Sequence, residues 1–406
     1  MTTAEANLET PSATQPLKAL PLGAIALAHA SVDIQTSALP ILLPQLLIAL
    51  DLNYALAAGI VSANAVVIAI AQPLFGLLGD RRPLRWLAPL GVLVCGAGLA
   101  LVPVAGLGLQ SYALVIAAVI LSGLGSAAFH PEGLAGVRQV SGSQRSTGSS
   151  VFFFGNLGFA LGPILAGALL DNGGLSSITL LGAIPIVTGT LLLSQQKAYR
   201  RPHGDGKHAV TKRQAAVGLV AYLMLLIIVR QTVTSGLTTF IPLYFHEHFG
   251  SEAAVTAGLV SVLSLASTVG TLFSGAVADR LGRRAVMVGS MVIVLGALLL
   301  FINTSGVLQI AALAIAGAAL TAPWTLSVVM VQDAMPGQPG LASGLTLGTA
   351  YSGISLAVYA LGLVADNFGL DLTMTVVIWM PALAAALSLW VPNRVPQVVD
   401  ESPLSG

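Results

Sequence analysis

The chain has 406 residues, of which 55% are hydrophobic and only 8% charged. A soluble domain carries about 25% charged residues, so this chain cannot cover a water-facing surface, and a net charge of +1 gives no reason to expect a nucleic-acid partner. In lipid, backbone polar groups must be satisfied internally, which leaves helices or a closed barrel; apolar runs of about twenty residues, twice the length of a barrel strand, make this an all-α integral membrane chain.

Residues 1–16, MTTAEANLETPSATQP, hold two acids and no Lys or Arg, the wrong start for a cleavable signal. Residues 1–19 are expected to be a disordered tail. Apolar runs then fall at 20–49, 53–78, 86–105, 110–137, 146–170 and 175–194. A basic linker, 195–214, precedes runs at 215–244, 253–277, 285–303, 307–331, 341–365 and 372–391, and a second tail covers 393–406. Twelve spans are expected, six in residues 20–194 and six in 215–392. With the amino terminus on one side, 16 of the 17 Lys and Arg fall on that face, among them Arg81, Arg82, Arg85, Arg138, Arg145, Arg280, Arg283 and Arg284. The other face carries Asp51, Asp171, Glu247, Glu252 and Asp371. The positive-inside rule makes the basic face and both termini cytoplasmic. Cys95 lies in an apolar run and is expected only to pack.

Span 1 holds His29 and Asp33. A charge at the bilayer centre costs about 2.5–3.5 kcal/mol even on the mild insertion scale, so Asp33, Glu132 and Arg230 are functional candidates. His29, one turn before Asp33, shares its face and is expected to tune it. Span 2 runs into GLLGDRRPLR, with Gly76, Asp80, Arg81 and Arg85. Span 4 ends in AAFHPEGLAGVRQ, residues 127–139. Pro131 removes a backbone donor and is expected to kink the helix. His130 and Glu132, two residues apart, cannot share a face. Desolvation favours a neutral carboxyl and imidazole titrates near neutrality, so Glu132 is expected to carry a proton together with Asp33, with His130 as partner. The alternative keeps Glu132 paired with Arg138 at the membrane face.

Span 5 places Gly158, Gly162, Pro163 and Gly167 at a spacing that lets helices approach closely and bend. Span 7 contains Arg230, 197 residues after Asp33, and is followed by His246-Glu247-His248. That triplet has no further ligand cluster nearby and reads as a solvated loop, so no metal is expected. Span 8 ends in GAVADRLGRR, with Gly275, Asp279, Arg280, Gly282, Arg283 and Arg284.

The two Gly-Asp-Arg loops lie 199 residues apart, and Gly158, Gly167, Asp171, Asn172 and Gly174 match Gly353, Gly362, Asp366, Asn367 and Gly369 at an offset of 195. Two copies of a six-helix unit are the architecture of a secondary transporter, with its site between the copies near the midplane. The second loop matches the G-x-x-x-D-R-x-G-R-R signature of the major facilitator superfamily throughout; the first has Pro83 and Leu84 where Gly and a base are usual. The resemblance implies twelve helices in two pseudo-symmetric halves, held together on the cytoplasmic side by these loops. Gly158, Gly162, Pro163 and Gly167 resemble the superfamily's antiporter motif, although Ser149 and Ala166 stand where Gly is usual. AHASVDIQTSALPILLP, FHPEG and YFHEHFG resemble the fosmidomycin-resistance branch.

That branch implies a monomeric, proton-driven exporter in the bacterial cytoplasmic membrane, with the proton as coupling ion, no cofactor, and fosmidomycin or a similar small toxic compound as substrate. Asp33 and Arg230 then line the central cavity. If close they form an ion pair, and an anion such as a phosphonate, suited to the planar guanidinium, competes for Arg230 and frees Asp33 for a proton. An importer of a small organic anion is the alternative on the same fold. A membrane-embedded enzyme is disfavoured, because the chain has no HExxH, no Ser-His constellation and no GxxxxGK[ST] loop.

Overall fold

The computed structural model describes residues 17–81, 84–141, 154–198, 217–335 and 339–393. The tail, most of the linker and the first part of span 5 lie outside them, as do the side chains of Asp80, Arg81 and Arg138. Among the described residues the chain is helical and contains no strand.

Helix α1, Ala19–Ala38, passes through a 3-10 turn, Leu39–Leu42, into α2, Leu43–Ala49. Pro40 and Pro44 sit at the starts of these last two elements, where a missing N–H costs nothing. Next come α3 (Tyr54–Arg81), α4 (Leu87–Pro103) and α5 (Tyr112–Val140). Ser111 caps α5 by accepting from the Leu114 amide at 3.4 Å. Pro131 does not end α5, which stays helical to Val140. Then follow α6 (Gly158–Gly173), a 3-10 stretch (Leu175–Gly182), α7 (Ala183–Ser194), α8 (Val217–Phe249), α9 (Ala253–Leu281), α10 (Arg283–Asn303), α11 (Gly306–Ala334) and α12 (Pro339–Ser388).

Ten helical stretches among the described residues are long and apolar enough to cross a membrane, against twelve expected. The differences have local causes. Helix α6 has 16 described residues, because residues 142–153 lie outside the description. Helix α12 runs over 50 residues and is broken inside by Gly369, at φ 85° and ψ 167°, a region essentially restricted to glycine.

Lipid tails are as apolar as leucine, so helices associate in a bilayer through close packing of small residues. The α4–α5 crossing shows it: a Cβ on Gly125 would stand 2.2 Å from the Cys95 nitrogen, and one on Gly98 2.3 Å from the Ser122 nitrogen. Cys95 is wholly buried there, the packing role expected. Leu74, Leu272 and Leu356 are instead exposed on helix surfaces, as a lipid-facing side requires.

Three contacts join segments that the sequence assigns to the same face. The Lys18 amide donates to Val140 O at 2.8 Å, and Arg284 Nε donates to Val391 O at 2.7 Å, joining basic-face segments. On the acidic face His248 lies 3.2 Å from Asp371. Residues 17–198 meet residues 217–393 chiefly along two helix pairs, α3 with α12 and α6 with α9.

Candidate functional site

Helix α1 presents His29 and Asp33 on one side, one turn apart, with Asp33 only 1% exposed. His29 Nε2 lies 3.4 Å from Asp33 Oδ2. Helix α5 brings His130 to the other oxygen, with Nε2 3.5 Å from Oδ1. These contacts are long, and neither Asp33 oxygen has a hydrogen bond. The His130 ring is oriented by its own helix: Nδ1 lies 2.8 Å from Ser126 O, one turn earlier. A carbonyl only accepts, so Nδ1 carries the proton of a neutral ring and Nε2 turns a lone pair towards the carboxylate. The two imidazoles meet edge to face at 5.3 Å, beside the buried Phe129 ring, 6.0 Å from His29.

The glycines of α6 make this arrangement possible. A Cβ on Gly158 would stand 2.3 Å from Ala30 O and 2.7 Å from Asp33 Cβ, and one on Gly162 2.5 Å from Ile34 O. Gly155, just before α6, would likewise strike His29 Nδ1 at 2.5 Å. The first part of the motif therefore presses α6 onto the Asp33 side of α1. Pro163 is buried within α6. Gly167 faces elsewhere, towards α9, with a would-be Cβ 2.9 Å from Ala253 O.

Glu132 is buried on α5, but two residues from His130 its side chain leaves the helix about 200° further round. The carboxyl that joins the histidines is Asp33, and the cluster of ligating groups comprises His29, Asp33 and His130. The alternative pairing of Glu132 with Arg138 falls on a side chain outside the described residues.

Arg230 is 7% exposed in α8. Its Nε donates to Leu320 O of α11 at 2.9 Å and Nη1 to Gln231 Oε1 at 2.7 Å. The conditional ion pair with Asp33 does not form in this conformation. Asp33 is turned to the histidines, and the guanidinium meets only neutral oxygens among the described residues.

The acidic face carries a second arrangement, whose carboxylates the repeat paired but to which the sequence reading gave no role. Asp366 of α12 accepts from the first amides of α3, Tyr54 N at 2.7 Å and Ala55 N at 3.0 Å. Asp171 of α6 accepts from the first amides of α9, Ala253 N at 2.9 Å and Ala254 N at 2.8 Å. The opening amides of a helix lack intrahelical partners and favour negative charge. Beside each carboxylate a glycine permits contact: a Cβ on Gly362 would stand 2.8 Å from Ala55 Cα, and one on Gly167 2.9 Å from Ala254 Cα. The Tyr54 hydroxyl also donates to Glu247.

His246, Glu247 and His248 form the last turn of α8 rather than a loop. They diverge: His248 turns to Asp371 and stacks on Tyr244 at 4.4 Å, while His246 Nδ1 lies 3.4 Å from Ser251 O.

Of the two signature loops, the first has the side chains of Asp80 and Arg81 outside the described residues. Gly76 lies against Pro131, its would-be Cβ 3.7 Å from that ring, and Arg85 is exposed. In the second copy Gly282 ends α9 at φ 87°, while Asp279 and Arg280 are exposed and Gly275 faces open space. Arg283 pairs with Asp333 at 2.9 Å, and the Arg284 amide donates to Asn393 Oδ1 at 3.2 Å. These bonds stay within residues 217–393. Among the described side chains, the carboxylate bonds that join residues 17–198 to residues 217–393 lie on the acidic face.

The model of the Major Facilitator Superfamily matches residues 25–266 and 223–406. The fosmidomycin resistance protein of Escherichia coli (strain K12) is 27% identical over 385 residues, covering 92% of this chain and 93% of that protein. The uncharacterized MFS-type transporter YfnC of Bacillus subtilis (strain 168) is 27% identical over 376 residues, covering 88% and 90%. Among solved structures, an inward-facing, unoccupied bacterial homologue of the human lysosomal transporter Spinster superposes with a TM-score of 0.78 at 15% identity, covering 93% of this chain and 97% of that one. The nucleoside transporter NupG superposes with a TM-score of 0.71 at 15% identity, covering 91% and 99%.

Proposed function

The chain belongs to the Major Facilitator Superfamily and is a multi-pass membrane transporter rather than an enzyme. From that premise we propose that it exports a small toxic organic anion of the fosmidomycin type across the bacterial cytoplasmic membrane in exchange for protons. Its twelve helices form two six-helix halves. The count of twelve follows from adding span 5 to the ten long apolar stretches and dividing α12 at Gly369. The basic face and both termini are cytoplasmic, so the conformation described is closed to the outside.

The observation that carries this reading is a pair of buried charged sites at matching repeat positions. Asp33 stands between two imidazoles without a hydrogen bond, and Arg230 holds a guanidinium without an acid partner among the described residues. The first takes the proton and the second the anion. The drug class is supported by the named relative in Escherichia coli.

Electrostatics fixes one constraint on coupling. An anion brought near Asp33 raises its affinity for a proton, so charge neutralisation within one cavity favours proton and anion together. Exchange therefore has to come from the conformational step: the proton and the substrate must favour opposite states. The same electrostatics supports the second reading, uptake of an anion together with a proton.

Efflux-deficient bacteria expressing the protein, tested against fosmidomycin at matched membrane levels, separate these readings. Wild type is expected to protect, and Asp33→Asn and Arg230→Gln are expected to lose at least about tenfold of that protection, equivalent to about 1.4 kcal/mol. Normal protection by Arg230→Gln removes the guanidinium from the mechanism. Increased sensitivity with wild type replaces export by uptake. No effect of wild type sinks the drug class.

A further inference from the structure

We propose that the His29–Asp33–His130 cluster is a three-ligand site for a divalent transition-metal cation such as Zn2+ or Co2+, inside the membrane span. The site itself rests on geometry. Its consequence, that a bound ion occupies the place of the coupling proton and blocks transport, rests on the proposed function.

Each of the three side chains offers one ligating atom, and these atoms lie within 4.8 Å of one another. The two nitrogen–oxygen separations are 3.4 and 3.5 Å. A tetrahedral ion with bonds of about 2.0–2.1 Å sets its ligands about 3.4 Å apart, so each nitrogen–oxygen separation already fits, and binding one ion requires the carboxylate to turn and the imidazoles, whose ligating atoms lie within 4.8 Å, to draw together. A long contact without a hydrogen bond is a poor fit for a directly shared proton and a natural fit for a cation lying between the atoms.

The surroundings favour the same conclusion. Metal-binding histidines characteristically donate their other N–H to a carbonyl or carboxylate, which fixes the tautomer and aims the lone pair. The His130 Nδ1 bond to Ser126 O, at 2.8 Å, does this. Asp33 is buried with both oxygens lacking a hydrogen bond, an arrangement that costs free energy until a positive charge arrives. Two helices supply the ligands, and Gly155 and Gly158 let a third segment pack directly against His29 and Asp33, which fixes their positions. Two imidazoles and one carboxylate suit zinc, cobalt or nickel rather than the hard, oxygen-seeking magnesium and calcium. Three protein ligands leave a fourth position open, and His130, with 18% of its side chain exposed, is the most accessible of the three.

The test uses the full-length protein in detergent with Co2+ as a spectroscopic probe and Zn2+ as the competing ion. Wild type is expected to bind one Co2+ per chain with the intense visible bands of a four-coordinate ion, bleached by one equivalent of Zn2+. Asp33→Asn and His130→Gln are expected to weaken binding by at least about 100-fold, beyond the roughly 10–100-fold typical of losing an outer-shell partner. A His246→Ala/His248→Ala variant is expected to bind normally. The wild-type spectrum needs no variant to fold: weak six-coordinate bands, or no binding, overturn the site. So does binding that survives Asp33→Asn and disappears with the α8 pair. In proteoliposomes, metal bound at the cluster by a chain that moves no protons leaves the site standing and sinks only the proposed function. Proton-coupled transport by a chain that binds no metal sinks only the site.

Discussion

Asp33 was visible in the sequence as a charge inside an apolar run, and His29 as its neighbour one turn away. His130 was visible only as a titratable residue near the end of span 4. Nothing in the periodicity of either helix says that residues 33 and 130 meet, because helix-to-helix contact is a tertiary fact and 3.6-residue spacing describes one helix at a time. Glu132 is legible as an acid in an apolar run, and its direction, about 200° round the helix from His130, follows from their spacing of two; which neighbouring helix each of them faces is the tertiary part. The role of Gly158 was half legible, as a small residue at a packing spacing. Its partner, Asp33 itself, appears only in the structure. A Cβ there would overlap Ala30 O at 2.3 Å, and overpacking of this kind costs about 1–3 kcal/mol. Gly158→Val is expected to lower the thermal unfolding temperature in detergent and to abolish transport, whereas Gly289→Ala, where a Cβ meets nothing within 4 Å, is expected to leave both unchanged. An unaltered Gly158→Val would show that α6 does not position the cluster.

Among the elements, hydropathy locates the ends of the first apolar run to within one residue. Span 1 was placed at 20–49 and the structure carries helix from Ala19 to Ala49 with the intervening 3-10 turn. Span 7 was ended at 244, whereas α8 continues to Phe249, since polar residues at a membrane surface can prolong a helix that hydropathy alone would stop. Pro131, the expected kink in span 4, lies inside α5 without ending it; one missing donor is tolerated where the neighbouring turns keep theirs. The break that hydropathy placed between spans 11 and 12 reduces to Gly369, at φ 85° and ψ 167°. Its repeat partner Gly174 has φ 60° and ψ −166°. Both backbone conformations belong to a region that other residues enter at a cost of about 1–3 kcal/mol. Gly369→Ala is therefore expected to destabilise the protein by that amount in a denaturation series, although nothing stands within 4 Å of its Cβ position. No change would mean that the turn relaxes to an ordinary conformation without penalty.

For the whole molecule, the four bonds from Asp171 and Asp366 to helix amides join its amino-terminal and carboxyl-terminal segments and have to break if the acidic face is to open. Negative charge at a helix start is worth roughly 0.3–1 kcal/mol when exposed and up to about 2 kcal/mol when partly buried. Asp171→Ala with Asp366→Ala is expected to favour the conformation open on the acidic face, read as faster labelling of a cysteine placed beside Ala55 by a membrane-impermeant reagent in the Cys95→Ser background. Unchanged labelling would show that other contacts hold this face shut. The repeat made these residues partners in the sequence, but sequence alone left their receptors unnamed, because an amide donor carries no side-chain signature.

The two carboxylates also cross over. Asp171 belongs to α6 and engages α9, while Asp366 belongs to α12 and engages α3, so each segment supplies one key and one keyhole. A single unit of this kind already holds both parts needed to close against a copy of itself, the self-complementary pattern of a twofold dimer. The bonds of Asp171 and Asp366 are in this respect arranged as the reciprocal contacts of such a dimer are, within one chain. Residues 1–198 and 217–406, made as separate polypeptides, are therefore expected to dock in one register through these matched ends, read as co-purification of the two that is lost with Asp171→Ala and Asp366→Ala together.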